Sequence, residues 1–342
     1  MSFTTASAAH QLDFGPLLDV AARSQPSISQ LLTLENQDNL ILIDAHGHAL
    51  HLHDQRACHS RVPNWPQGHV RLAVLDGMGG HGQGRQVAGA VAAGLLQLPA
   101  CRMLDQLCEG LDQLHAQLQP RFASPGDQDS FRRPGTTLTL VEIPPNQPAL
   151  LYHVGDSRLY EISATTAQPL TIDHVPATAF VLHGLLDEAG WRQQVHREHR
   201  AHITQAFILG NAFANPQQLD NALHALDCSN LPPFLRHLPD RRALVLRPDA
   251  LYLLATDGLW ACARPDQWTA RWPALLADAE SAEAALARLF AEFNQHPPRG
   301  QQLDNLTAIA FRARQHDRKD NENMNTNVDE TALPSFAPAP FG

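Results

Sequence analysis

The sequence predicts an α+β fold: a core of two mainly antiparallel sheets with helices outside. Three observations carry that expectation. Apolar runs of strand length are joined by short turns, as where "PPNQP" separates "TTLTLVEI" from "ALLYHV", and parallel strands would need crossovers of a dozen residues or more. Helical periodicities come in pairs between groups of strands. The chain of 342 residues is 44% apolar, enough to bury a full core, and helices outside two sheets are the economical packing.

Taken in order, residues 1–34 are mixed in pattern and read as a poorly defined N-terminal extension. A strand is expected from about Leu40 to Ile43, and a second, strongly apolar one from Leu72 to Leu75. Gln83 to Leu98 reads as a helix with Val87, Val91, Leu95 and Leu98 on one stripe. Leu104, Leu107, Leu111, Leu114 and Leu118 continue at helical spacing, as core packing, so two helices follow without a strand between them. Strands are expected over 136–143 and 149–154, with "RLYEI" (158–162) extending their meander. Residues 182–200 read as helical and polar, and "ALVLR-PDA-LYLLAT" as a hairpin over 243–256. Ser281 is placed to cap a helix reaching Phe293, and "LTAIAFRA" (306–313) is the last strand. The tail from Gln315 is polar, then proline-rich, a composition that predicts disorder. The globular domain is therefore expected over residues 35–314.

The formal net charge of −10 argues against a nucleic-acid surface and suits a protein whose acids hold cations. The five cysteines, Cys58, Cys101, Cys108, Cys228 and Cys262, form no CxxC pair and are odd in number, which suggests reduced thiols. The N-terminus lacks the basic and apolar regions of a secretion signal. No apolar run approaches the roughly 20 residues of a spanning helix. A soluble cytoplasmic protein with no membrane partner is the expectation.

"LAVLDGMGGHGQG" (72–84) ends an apolar strand in Asp76 and follows it with five glycines in eight residues. Gly77, Gly79 and Gly82 satisfy the dinucleotide pattern G-x-G-x-x-G between a strand and a helix. Two features oppose that reading. Asp76 would face a pyrophosphate unscreened, and helix occupies the place of the second strand with its acidic end. A Walker loop fails because no Lys-Ser or Lys-Thr follows the glycines. Other strand ends carry the same residue type: Asp257 in "LLATDGLW", Asp156 in "LYHVGDSR", Asp304 in "QLDNLTAIAF" and Asp38 in "LENQDNLILI". Any one of these could serve as a turn residue. Five carboxylates brought together repel unless cations lie between them, and Mg²⁺ or Mn²⁺ takes such oxygen ligands.

These segments in this order resemble the metal-dependent serine/threonine protein phosphatases of type 2C, the PPM family, in their bacterial form. The matching stretches are "NQD" (36–38), "DGMGGH" (76–81), "GTT" (135–137), "GDSRLYEI" (155–162), "LTIDH" (170–174), "ITQA" (203–206), "DGLW" (257–260) and "DNLT" (304–307). The resemblance implies a four-layer α-β-β-α sandwich with two or three Mn²⁺ or Mg²⁺ ions at one end of the sheets. It implies that Asp76 bridges two ions, that the Gly77 carbonyl binds one, and that Asp257 and Asp304 complete the other's shell. Asp156 and Asp38 would hold a weaker site or metal-bound waters. Such a pair of ions, about 4 Å apart, activates a water against a phosphate. The resemblance further implies phosphoserine and phosphothreonine proteins as substrates, an opposing Ser/Thr kinase and a monomer.

The sequence departs from that pattern in two places. Gln37 stands where many members carry Glu, and Thr33 stands where an arginine usually binds substrate phosphate. Arg85 or Arg158 is then a candidate for the phosphate, although Arg158 also reads as a structural ion-pair partner. His81, beside the metal turn, is the general-acid candidate, with His174 second. Residues 212–242 are longer than expected and read as a surface insertion. In "HGHALHLH" (46–53), alternation places His51 and His53 on one strand face. They read as exposed hairpin residues rather than a zinc or nickel site. A phosphatase-like module that binds a partner without catalysis is the alternative function.

Overall fold

The computed structural model describes residues 12–26, 35–79, 83–122, 133–195, 202–213 and 219–314. The chain opens with β1 (Leu18–Gln25), β2 (Asn39–Ile43), β3 (His48–His53), β4 (Arg56–Arg61), β5 (Val70–Leu75) and the short β6 (Gly77–Met78). Helices α1 (Gln83–Gln97) and α2 (Leu104–Phe122) follow, then β7 (Gly135–Thr136), β8 (Leu138–Ile143), β9 (Ala149–Val154), β10 (Arg158–Ile162) and β11 (Ala167–Pro169). Next come α3 (Pro176–Leu182), α4 (Glu188–Gln194), β12 (Gln205–Ala206), β13 (Gly210–Asn211), β14 (Arg241–Leu244) and β15 (Leu251–Ala255). Helices α5 (Pro265–Thr269), α6 (Trp272–Leu276) and α7 (Ala282–Gln295) lead to the final strand, β16 (Leu306–Ala313).

Two antiparallel sheets form the core, one of seven strands ordered β14-β9-β8-β5-β2-β3-β4 and one of five ordered β1-β16-β15-β10-β11. The strands are apolar on both faces because both faces are covered. In β2, Leu40 and Leu42 join Val70, Leu72 and Val74 between the sheets, against Leu159, Tyr252, Leu254 and Phe311 of the other sheet. Ile41 and Ile43 point the other way, onto Val87, Val91 and Leu95 of α1 and Leu107 and Leu111 of α2. On the far side, Leu253, Ala308 and Ala310 pack beneath Trp268, Trp272, Leu286 and Phe290 of α5 to α7. The layer order is therefore α-β-β-α, as expected. Among the described residues no helix is long and apolar enough to cross a membrane.

Three expectations are corrected. The assigned extension contains β1, which pairs along its whole length with β16, so the domain begins before residue 35. "RLYEI" does not extend the meander: β9 and β10 lie in different sheets, and Gly155, Asp156 and Ser157 carry the chain from one to the other. Nor is 243–256 a hairpin, because β14 pairs with β9 whereas β15 pairs with β10 and β16. Each apolar run found a better-covered partner across the sandwich than beside its own turn. The polar helix expected over 182–200 begins after α3 has ended at Leu182, past Gly184 at φ +70°. It is the short α4, capped by Asp187, whose side chain accepts from Gly190 N at 2.7 Å. Ser281 caps α7 as read, accepting from Ala284 N at 3.0 Å. The tail from 315 lies outside the described residues.

A buried charge cluster ties α1 to the seven-stranded sheet. Arg71 on β5 reaches Glu142 on β8 through two hydrogen bonds, at 2.6 and 2.9 Å. Its remaining N–H groups donate to the carbonyls of Leu95, Leu98 and Pro99, filling the open C-terminus of α1. His69 completes the cluster, its Nε2 lying 2.7 Å from Glu142 Oε1.

Candidate metal centre

The five strand-end aspartates meet at one end of the sandwich, where chain crossings and turns cluster. Asp76 leaves β5, and its N–H donates to Thr137 Oγ1 at 2.9 Å while its carbonyl accepts from Thr137 N at 2.9 Å. Thr137 Oγ1 lies 2.7 Å from Ser157 Oγ, which sets the neighbouring Asp156 beside Asp76. Across the site, Thr256 Oγ1 donates to Asp38 Oδ2 at 2.9 Å and accepts from Thr307 N at 3.0 Å. Asp257 therefore stands next to Asp38. Asp304 caps its own following peptide, Asn305 N, at 2.8 Å, and Asn305 Oδ1 accepts from Gln37 N at 2.8 Å.

Two glycines set these approaches. A Cβ on Gly77 would lie 2.5 Å from the Gln37 carbonyl oxygen and against Gly84. One on Gly258 would overlap the Asn305 carbonyl oxygen and come within 3.3 Å of Asp304 Cβ. Gly258→Ala is accordingly expected to force Asp257 and Asp304 apart. Overpacking of this kind costs about 1–3 kcal/mol. Thermal melts and Mn²⁺ titration would both record the change, and unaltered Mn²⁺ affinity would refute the assignment.

The carboxyl groups perturb one another. Asp38 and Asp156 are buried, whereas Asp76, Asp257 and Asp304 keep part of their surface open. Burial pushes Asp38 up to about 8, with hydrogen bonds from Thr307 and Thr256 opposing and the charges of Asp304 and Asp257 adding. Burial and Asp304 raise Asp257 to about 7, against a hydrogen bond with Asp76. Asp76 is driven well above the usual carboxylate range by burial, then by Asp38, Asp257, Asp304 and Asp156. Burial, Asp257 and Asp173 do the same to Asp156, opposed by Arg158. Burial also raises Asp304, opposed by its bond from Asn305.

The donor set fits hard divalent cations. It is all oxygen, and Asp38 Oδ1, Asp156 Oδ1 and Asp257 Oδ1 are buried with no hydrogen-bond partner among the described residues. Buried carboxylate oxygens are otherwise almost always satisfied. Among the described residues no group of three or more His, Cys, Asp or Glu side chains is already arranged to hold an ion. With an ion bound, the Gly77 carbonyl and waters would fill what the carboxylates leave open, as suits Mg²⁺, which keeps several waters.

The arginine and histidine candidates fare differently. Arg158 is buried and committed: it forks onto Asp173 at 2.8 and 2.6 Å, donates to Tyr160 Oη at 2.9 Å and stacks over Trp260. It is a structural ion-pair partner and has no face left for substrate phosphate. Arg85 is paired with Glu35 at 2.7 Å and Asp54 at 2.6 Å. His174 is fully buried between Asp240 and Gly155, so it cannot meet a leaving group. Thr33 and His81 lie outside the described residues. His51 stands opposite Cys58 on β4 and is half-buried, not exposed, while His53 is exposed as expected. Sequence reasoning assigned no role to Thr137, Thr256 and Asn305, which hold the aspartate segments in place. They sit beside the aspartates in "GTT", "TDG" and "DN", and that adjacency was the available signal.

No family model matches the sequence, and neither does any curated protein. Solved structures match across most of the chain. The PPM Ser-Thr phosphatase MsPP from Mycobacterium smegmatis, in complex with cacodylate, is 21% identical at a TM-score of 0.55, covering 87% of this chain and 99% of its own. The catalytic domain of the serine/threonine protein phosphatase PstP, in complex with two manganese ions, is 21% identical at 0.51, covering 87% and 99%. The serine/threonine phosphatase Stp1 from Staphylococcus aureus is 17% identical at 0.57, covering 91% and 100%. The chain has the fold of these PPM phosphatases.

Proposed function

We propose that the protein is a divalent-metal-dependent phosphatase that hydrolyses phosphoserine and phosphothreonine in proteins. The observation that carries this reading is the convergence of five strand-end aspartates, three with a buried oxygen that has no hydrogen-bond partner among the described residues. Asp76, the Gly77 carbonyl, Asp257 and Asp304 would hold two Mn²⁺ or Mg²⁺ ions, and Asp156 and Asp38 a further one or its waters. When bound, such ions lower the pKa of water and neutralise charge on phosphoryl oxygens. The chain's own part is positional. Thr137 holds the Asp76 peptide, Thr256 holds Asp38, and Asn305 pins Gln37 over Gly77. Because Arg158 and Arg85 are already matched by carboxylates, the substrate's negative charge would be met chiefly at the cation site. The general-acid role of His81 belongs to this proposal.

The reading brings with it phosphoprotein substrates, an opposing Ser/Thr kinase and a cytoplasmic monomer. The five cysteines form no disulfide with one another, in keeping with a reducing compartment. The test is release of p-nitrophenol from p-nitrophenyl phosphate, and of phosphate from phosphoserine, phosphothreonine and phosphotyrosine peptides, with Mn²⁺ and with EDTA. Turnover that needs Mn²⁺ and favours phosphoserine and phosphothreonine is expected. A chain inert with every divalent ion would instead be a non-catalytic binding module.

A further inference from the structure

We propose that residues 219–240, part of the stretch 212–242 read from the sequence as a surface insertion, form a fixed strut of the metal centre and that Asp240 is its positioning residue. The Asp240 carboxylate selects the His174 tautomer that holds the Gly155 peptide and, through it, Asp156. The proposal rests on the metal-dependent reading above for what Asp156 serves.

His174 is fully buried, with Nε2 3.1 Å from Asp240 Oδ2 and Nδ1 3.2 Å from Gly155 N. A carboxylate only accepts, so the proton must sit on Nε2. Nδ1 then carries a lone pair, and the Gly155 N–H donates to it. In the other tautomer Nδ1–H would face that N–H donor to donor. It would donate instead to the Gly155 carbonyl, 3.2 Å from Nδ1, and leave the Gly155 N–H without its acceptor. The identity of the group on Nε2 therefore decides whether the peptide before Asp156 is satisfied, as outer hydrogen bonds commonly do for histidine.

Asp240 is itself anchored. Its Oδ2 accepts from Leu226 N at 3.0 Å, its N–H donates to Leu226 O at 3.0 Å, and its carbonyl accepts from His153 N at 2.9 Å. Leu226 belongs to a small core with Ile172, Phe213, Leu231 and Leu235. The other end of the segment is stitched to α2: the Asn221 carbonyl accepts from His115 Nε2 at 2.7 Å and Gln119 Nε2 at 3.1 Å. Beyond His174 the path continues inward. Gly155 is at φ +105°, and a Cβ there would strike Thr137, the residue that holds Asp76. One chain of contacts thus runs from the insertion to two aspartates of the centre.

The experiment uses the full chain and compares Asp240→Leu, which removes the acceptor opposite Nε2, with Tyr252→Phe, which breaks a hydrogen bond to Glu161 elsewhere in the five-stranded sheet. Asparagine would not serve at 240, because its amide oxygen would replace Oδ2 beneath Leu226 N and still accept from Nε2–H. Long-range ¹H–¹⁵N spectra report the His174 tautomer, Mn²⁺ titration by EPR reports affinity, and thermal melts report stability. Wild type is expected to show Nε2–H. Asp240→Leu is expected to shift toward Nδ1–H and to bind Mn²⁺ about tenfold more weakly, the usual scale for an outer-shell change. Tyr252→Phe should lose stability with its Mn²⁺ affinity intact. Adding His174→Asn to Asp240→Leu supplies a fixed acceptor at the Nδ1 position and should restore the affinity. If Asp240→Leu does not fold, His174→Leu, which leaves the Gly155 N–H without an acceptor, is compared with His174→Asn, which keeps one: a tenfold loss in the first alone supports the strut, and equal affinities overturn it. An unchanged tautomer, or an affinity no weaker than that of Tyr252→Phe, overturns the proposal. A wild-type chain that binds no Mn²⁺ overturns both it and the metal-dependent reading, which separates the two failures.

Discussion

Asp76→Asn and Asp257→Asn are each expected to lower Mn²⁺-dependent phosphate release at least about a hundredfold, since loss of a proposed ligand should exceed the usual outer-shell effect. Both should also raise the melting temperature of the metal-free protein near pH 8. The two effects have one cause. The carboxyl groups that would hold the ions repel one another in the ions' absence, and burial adds to the cost. Their folded pKa values lie above the ordinary aspartate value of 3.8, reaching about 7 for Asp257 and about 8 for Asp38. Between those limits the folded chain keeps protons that the unfolded chain has lost. Stability of the metal-free protein must therefore fall as pH rises from about 4 to about 8 through this cluster. An amide at either position removes one of the repelling charges. Mn²⁺ should reverse the trend, since its ligands must be ionised, so its stabilising shift is larger at pH 8 than at pH 6. Initial rates and melts in EDTA and Mn²⁺ at both pH values check this. Equal rates in wild type and variants, or a metal-free variant less stable at pH 8, would refute the assignment.

Glu142→Ala is expected to be the most damaging change away from the site. It would strand Arg71 and His69 in a fully buried setting, and breaking a buried pair from one side costs about 3–5 kcal/mol. For a domain of this size that is a fall in melting temperature on the order of 10 °C. Glu142→Gln, which keeps the shape, should cost less. Burial would raise Glu142, but the charge and hydrogen bonds of Arg71 and His69 outweigh it and leave its pKa below the ordinary 4.5. The stability this group contributes is thus fully present above about 4.5 and is lost as pH falls through the lower folded value. A Glu142→Ala variant as stable as wild type at pH 7 would show that the cluster is incidental.

How much was legible beforehand differs by element. The strands at 149–154, 158–162 and 306–313 and the helices from 83 and 104 were readable because periodicity is local. Strand β1 was not, since its "LDVAARSQ" alternates weakly and is stabilised by its pairing with β16. The false hairpin over 243–256 shows the same limit: turn chemistry reports how tightly a chain can bend, not which sheet the next run joins. Among site residues, the aspartates announced themselves by type and position; Arg158 read as a structural ion-pair partner, but that Asp173 and Trp260 are what it meets left no local trace.

By itself, then, the sequence determined most of the extended and helical stretches, which of their faces are apolar, and which strand ends carry carboxylates. Those properties follow from side-chain chemistry and spacing within a few residues. Only the tertiary structure decided that the chain crosses between sheets at Gly155–Ser157 and again after Leu244, that 219–240 reaches back to His174, and which charges are already matched. Those outcomes depend on burial and on partners far apart in the chain, such as Ser24 and Thr307 at a separation of 283 residues, and the energy of a buried polar group is set by what packs against it rather than by its neighbours in the chain.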